Sequence, residues 1–99
     1  MTRKLLPLHP GEVLREEFLV PLKMSAGALA KACGVPRTRI ERLAGEQIGI
    51  TADTALRLSR ALRTTPELWL NLQNKFDIQT SMLEIESELE EIEPVNEPA

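Results

Sequence analysis

The sequence predicts an all-α chain: five helices built around a helix-turn-helix, followed by an acidic C-terminal helix. Three observations carry this. Capping residues and prolines recur ahead of apolar stretches with a helical period, and no run alternates as a strand does. The stretch Ser25 to Ala44, SAGALAKACGVPRTRIERLA, reads as two short helices joined by a tight turn at Gly34 and Val35. That is the spacing of a unit whose second helix enters the major groove of DNA. Further on, Ile78, Met82, Ile85, Leu89 and Ile92 fall four, three, four and three residues apart, a narrow heptad-like stripe.

Taken in order, Pro10 at a first helical position, with Glu12 and Glu16 in the early turns, opens a helix to about Leu19. Leu14 and Phe18, with either Val13 or Leu22, form its apolar side, and Pro21 ends or kinks it. Ser25 caps a second helix, Ala26 to Cys33, which Gly34 stops in a left-handed conformation. Pro36 starts a third, running to Ala44 with Gly45 as its stop. Thr51 caps a fourth, Ala52 to Leu62, with Ala55, Leu58 and Leu62 facing inward. Thr65 caps a fifth, with Pro66 first and Phe76 near its end. On a helical wheel Leu68, Trp69, Leu72 and Phe76 share one arc, a core stripe. Leu70 falls on the other side, exposed and available for a subunit contact. The last helix carries the stripe to Ile92, Pro94 ends it, and the terminal VNEPA is expected to be disordered. The division is therefore a domain over residues 1–76 and a tail over 77–99.

Composition narrows the function. With 99 residues the chain holds one domain with a modest core, which a subunit interface would stabilise. A single cysteine forbids an internal disulfide and points to the reducing cytoplasm. No apolar run approaches the ~20 residues of a membrane span, and MTRKLLPLHP lacks the sustained apolar region of a signal peptide. The net charge of −3 hides a division: residues 1–76 carry all 12 Lys and Arg against seven acids, a net +5, whereas residues 77–99 carry eight acids and no base, a net −8. A basic body suits a polyanion, and an acidic tail suits something basic. Nothing suggests an enzyme, a metal site or a cofactor. His9, the only histidine, reads as a cap or packing residue beside Pro10, and Cys33 as a buried structural thiol. Trp69 lies on the core stripe, there is no Gly-rich phosphate loop, and the tail acids lack EF-hand spacing.

The third helix carries the chemistry. On a wheel Pro36, Ile40, Leu43 and Ala44 face the body, Thr38 and Arg42 point straight out, Arg37 and Glu41 lie on one flank and Arg39 on the other. Arg37, Thr38 and Arg42 are candidate base contacts: Arg bridges guanine O6 and N7, and Thr bonds a base or touches a thymine methyl. Arg39 is placed for phosphate. Ser25, Thr51 and Thr54, at helix N-termini, are candidate backbone contacts through hydroxyl or N–H groups. The plainer reading is an Arg37–Glu41 pair at i,i+4 on a solvated face; three arginines within six residues of such a turn favour DNA.

Here the chain resembles the Xre-type helix-turn-helix regulators and, more narrowly, the HigA-type antitoxins. The residues that carry the resemblance are HPGE (His9 to Glu12), LAKACGVPRTRI (Leu29 to Ile40), GITADTALRLSRAL (Gly49 to Leu62) and PELWLNLQ (Pro66 to Gln73), in that order. The resemblance implies a lambda-repressor-like all-helical fold and a homodimer on a palindromic operator in double-stranded DNA. It also implies neutralisation of a small basic toxin, a ribosome-dependent mRNA endonuclease. By resemblance Arg37, Thr38 and Arg42 match base-reading positions and Arg39 a flanking one. One departure stands out. Such domains often open the second helix with Gln and other long polar residues, where this chain has Ala26, Gly27 and Ala28, and an interior Gly costs a helix about 1 kcal/mol.

The tail fits no motif. Glu84 and Glu88, like Glu86 and Glu90, are like charges at i,i+4, and pairing this helix with its own copy would stack acid on acid. The stripe of Ile78, Met82, Ile85, Leu89 and Ile92 therefore calls for its own basic body or a basic partner protein. Two alternatives to an antitoxin are a solitary regulator, whose tail merely covers the body, and a protein-interaction module that no longer reads DNA.

Overall fold

The structure, a computed structural model, describes residues 6–95, and among them there are helices and no strand. The first five residues of the MTRKLLPLHP segment, and residues 96–99 of the terminal VNEPA, lie outside the described residues.

The first helix, α1, is a continuous run of three segments, Pro10–Val13, Leu14–Leu19 and Val20–Leu22. His9 caps it, its Nδ1 accepting the Gly11 N–H at 2.8 Å. The middle segment is a π-helix, in which the Val20 N–H reaches the Arg15 carbonyl five residues back. This answers what Pro21 does. Its ring would strike the carbonyl four residues earlier in a regular α-helix, and the wider π turn immediately before it accommodates the ring. The helix therefore does not stop near Leu19. It continues to Leu22 and closes at Lys23, which takes the left-handed conformation at φ 53°. Of the two candidates for the apolar side, Val13 packs against the core and Leu22 is exposed.

Helix α2 is Ala26–Cys33 and α3 is Arg37–Ala44. Ser25 caps α2 by accepting the Ala28 N–H at 3.0 Å, and Gly34 closes it at φ 72°. Pro36 is the N-cap of α3 rather than its first helical residue. Gly45 is the C-cap that stops α3, at φ −85°, and the positive φ, 63°, falls on the next residue, Glu46. Helix α4, Ala52–Leu62, is capped by Thr51 and closed by left-handed Arg63. Ala55 and Leu58 are fully buried, and Leu62 packs against the core from its edge.

The largest departure is α5, Pro66–Glu90. It does not end near Phe76; it runs on through residues 76 and 77 to Glu90, 25 residues in two helical stretches that meet at a kink, about 37 Å of helix at 1.5 Å per residue. Its one irregularity is Ile85, at φ −121° and ψ 21°. Of the like-charged i,i+4 pairs, Glu84/Glu88 spans that point and Glu86/Glu90 lies just beyond it. The face of α5 against the body is centred between Trp69 and Gln73. Leu68 and Leu70 stand about 100° to either side of Trp69, so the wheel alone does not separate them. Leu70 is the one that packs against the core, and Leu68 is 37% exposed, the reverse of the expectation.

The core lies where α1 to α4 and the first half of α5 converge, around Leu14, Leu29, Ile40, Leu43, Leu58 and Trp69, all essentially inaccessible. Trp69 is the hub: its Nε1–H donates to Thr64 Oγ1 at 2.8 Å, and its ring lies 5.4 Å from that of Phe18. His9 stacks edge-on against Phe76 at 4.8 Å, tying the start of α1 to the middle of α5. Past Thr80 every described residue is exposed, so the distal half of α5 projects from the body as an arm and the chain extends 52 × 39 × 21 Å.

Gly11 and Gly27 permit close approaches of different kinds. A Cβ on Gly11 would overlap the backbone carbonyl of Leu43, whereas one on Gly27 would meet the Arg37 Cδ at 3.2 Å, part of a flexible side chain. Gly11→Ala is expected to cost roughly 2 kcal/mol or more, because helix backbone must shift. Gly27→Ala gains helix propensity against slight crowding and should change stability by less than about 1 kcal/mol. Urea unfolding of the two variants checks this; equal losses would contradict it.

Candidate nucleic-acid interface

Helix α3 presents its residues much as its wheel predicts. Ile40 and Leu43 are buried, while Arg37, Thr38, Glu41 and Arg42 are exposed along the opposite side. Arg37 pairs with Glu41 at 3.3 Å, but the two side chains are 71% and 50% exposed, and a pair that open to water adds little. The Arg37 stem lies across Gly27 of α2. The small residues that open α2 thus have a use: they let the first arginine of α3 lie flat over the neighbouring helix.

Arg39 is placed differently. Its side chain is 36% exposed, and its Nη1 donates to Asp53 Oδ2 at 2.7 Å. Asp53, in the first turn of α4, accepts a second bond from Arg57 Nε at 2.9 Å. Arg57 in turn donates from Nη1 to the Cys33 carbonyl at 2.8 Å and the Gly34 carbonyl at 3.3 Å. One chain of contacts therefore runs from the turn, through Arg57 and Asp53, to the first half of α3. The hydrogen bonds from Arg39 and then Arg57 hold the Asp53 carboxyl below the usual carboxylate range. Burial pushes the Cys33 thiol up, with Arg57 opposing it, which suits a structural thiol.

The far end of α3 is held from α1. Arg15 donates through Nη1 to the Ala44 carbonyl and through Nη2 to Glu46 at 3.2 Å, while its Nε bonds Glu16 at 2.9 Å. The hydrogen bonds from Arg15 to Glu16 and Glu46 raise the arginine's own pKa. The connection from α3 to α4 is pinned by α5, for Gln73 Oε1 accepts the Ile50 N–H at 2.6 Å.

The three helix-start candidates separate. Ser25 is exposed, and its Oγ, which caps α2, still has a proton to donate. Thr51 is exposed, and its hydroxyl both accepts the Thr54 N–H and bonds the Thr54 hydroxyl at 3.2 Å. Thr54 is buried with its N–H and hydroxyl both engaged. It is therefore not available to a phosphate, and the expectation for Thr54 is corrected: helix position one turn inside the cap points it at the core. Ile78, Met82, Ile85 and Leu89 are exposed on the arm, with Pro7 beside Ile78 and Met82, and Ile92 is exposed beyond the helix, which ends at Glu90 rather than carrying the stripe to Ile92 as expected.

No family model matches the chain. Individual proteins do. Virulence-associated protein I of Dichelobacter nodosus is 53% identical over 72 residues, 73% of this chain and 67% of that one. Antitoxin HigA-1 of Vibrio cholerae is 36% identical over 89 residues, 90% of this chain and 84% of that one. The solved structure of the Pseudomonas aeruginosa antitoxin HigA with the higBA promoter superposes with a TM-score of 0.86 at 40% identity, covering 90% of this chain and 98% of that one. The chain belongs to the HigA antitoxin family.

In this HigA-family chain the residues that sequence reasoning passed over are those that orient α3 rather than those that face outward: Gly11, Arg15, Asp53, Arg57 and Gln73. The i,i+4 spacing of Asp53 and Arg57 was a visible signal of a pair on α4. The reach of Arg57 to the α2 carbonyls and of Arg15 to Ala44 joins residues 24 and 29 apart, which no local pattern encodes.

Because the Asp53 carboxyl is held below its usual range, the stability its ion pairs add is present above the unfolded value of about 3.9 and is lost as pH falls through the folded value. Asp53→Asn should therefore be less stable than the parent near neutral pH, and the gap should narrow in acid as the carboxyl is protonated. Urea midpoints at both pH values measure it. A gap that persists in acid would mean that Asp53 acts through something other than its charge.

Proposed function

We propose that this protein is a homodimeric, sequence-specific DNA-binding repressor of its own promoter and the antitoxin of a small basic mRNA endonuclease. The observation that carries the DNA half is the outward face of α3. Thr38 and Arg42 stand exposed on a helix whose two ends are fastened by Arg39–Asp53–Arg57 and by Arg15. A reader of bases needs side chains free to bond and a backbone that does not wander. In this reading Arg37, Thr38 and Arg42 contact base edges, with the open Glu41 pair giving Arg37 up on binding. Arg39 contacts phosphate with the guanidinium donors that Asp53 leaves unused, and Ser25 and Thr51 lie along the backbone path. The HigA structure solved with its promoter supports the DNA-binding half of this reading.

The division into a reading domain over residues 1–76 and an acidic segment over 77–99 is a division of charge, +5 against −8. It supports assigning the DNA to one part and protein partners to the other. Other relatives are described only as HTH-type transcriptional regulators, so the second reading is a solitary regulator. Co-purification with the product of the adjacent reading frame separates the two.

Arg42→Ala is expected to reduce discrimination between operator and scrambled DNA by about 1–3 kcal/mol. Arg39→Ala should weaken every sequence similarly and lower the salt slope of log K by about one. Mobility shifts across a salt series measure both. A promoter footprint that survives loss of Arg37 and Arg42 together would sink the assignment.

A further inference from the structure

Glu41 is the one acid on α3, and it stands on the face assigned above to DNA. Counted from Thr38, which points straight out, Glu41 lies about 60° to one side and Arg42 about 40° to the other. Arg37 and Arg39 lie about 100° away on either flank. Glu41 is therefore nearer the centre of the outward face than either flanking arginine. Its side chain is 50% exposed, and its one ion-pair partner among the described residues is Arg37, whose Nε stands 3.3 Å from its Oε2. A pair that open holds neither group firmly.

A carboxylate in that position needs a donor from the DNA. It can only accept hydrogen bonds. Phosphates repel it, and guanine N7 and O6, adenine N7 and thymine O4 are acceptors like itself. Once Arg37 turns to a base edge, Glu41 loses its partner. Two groups in the major groove can replace it, the N4 amino group of cytosine and the N6 amino group of adenine. The two are not equal. Adenine carries the acceptor N7 beside its amino group, where it faces the second carboxylate oxygen, whereas cytosine presents its amino group with no acceptor of its own alongside. An amide has the opposite preference, since Gln bonds adenine N6 and N7 together. The spacing also fits. Arg37 and Glu41 are one turn apart, about 6 Å along α3, against about 3.4 Å per base step, so their side chains reach base pairs no more than about two steps apart.

We propose that Glu41 is a specificity-determining residue of this interface and selects a cytosine within about two base pairs of the base that Arg37 bonds. This role rests on the DNA reading above. On DNA without that cytosine Glu41 repels the phosphates and keeps Arg37 to itself; on the right sequence both side chains find partners. The test uses the full chain in mobility shifts on its own promoter, on single-base variants of the footprinted half-site and on a scrambled duplex. The parent should prefer cytosine at one half-site position by about tenfold. Glu41→Ala should lose that preference and bind the scrambled duplex several-fold more tightly, because a negative charge has left the interface. Glu41→Gln should move the preference at the same position to adenine, and Arg37→Ala should relax a different position. Both residues are exposed, so far-UV circular dichroism should be unchanged in all three variants. Glu41→Ala tightening promoter and scrambled DNA alike, with every positional preference intact, would make Glu41 a solvated acid and overturn the proposal. So would relaxation of the same position by Glu41→Ala and Arg37→Ala, which would make Glu41 a mere support for the arginine, or retention of cytosine by Glu41→Gln. A parent that binds its promoter no better than scrambled DNA overturns the DNA reading itself, and this role with it.

Discussion

The fold turns on the brevity of α3. Eight residues make little more than two turns, too short to hold a helix in water by their own hydrogen bonds. Its geometry must be imposed from outside. Ile40 and Leu43 sink into the core, Gly11 lets the start of α1 rest on the Leu43 carbonyl, Arg15 takes up the last carbonyl, and Asp53 grips Arg39. The elements around α3 can be read as its mounting. His9 sets the start of α1 that carries Gly11, and it is itself set by the edge contact with Phe76. Arg57 holds the turn and Asp53 with one guanidinium. Loss of one attachment leaves the others, but each is made once.

Much of this was legible in the residues. Caps that act over two or three positions are local chemistry, so Ser25, Thr51 and Thr65 announced the starts of α2, α4 and α5, and Gly34 the end of α2. The ends were harder. Lys23, Glu46 and Arg63 take up left-handed backbone that sequence reasoning reserves for Gly or Asn, so the true end of α1 and the turn after α3 carried no signal. Pro21 did carry one, a break, but a π turn absorbed it. The division at residue 76 was drawn from charge, and charge does not break a helix when nothing in the backbone obliges it to.

The outward residues of α3 were legible for the opposite reason. They are whatever the apolar pattern leaves over, and two turns leave few options. What lay beyond the pattern were the long polar contacts: Arg15 to Ala44, Arg57 to Cys33, Gln73 to Ile50. Each side chain looks like an ordinary solvated residue of its own helix, and only the packing of a second helix gives it a carbonyl or an N–H to satisfy. A polar side chain that completes another element's backbone is invisible until that element arrives.

Trp69 is the only indole in the chain, wholly enclosed, and it sits at the root of the arm, while the open stripe begins nine residues further along the same helix. Light emitted by this protein therefore comes from one place. It registers the seam between α5 and the body and is blind to the arm's outer side. Loss of the packed interior is an event this native fluorophore reports, and a change confined to the arm's outer side is one it does not.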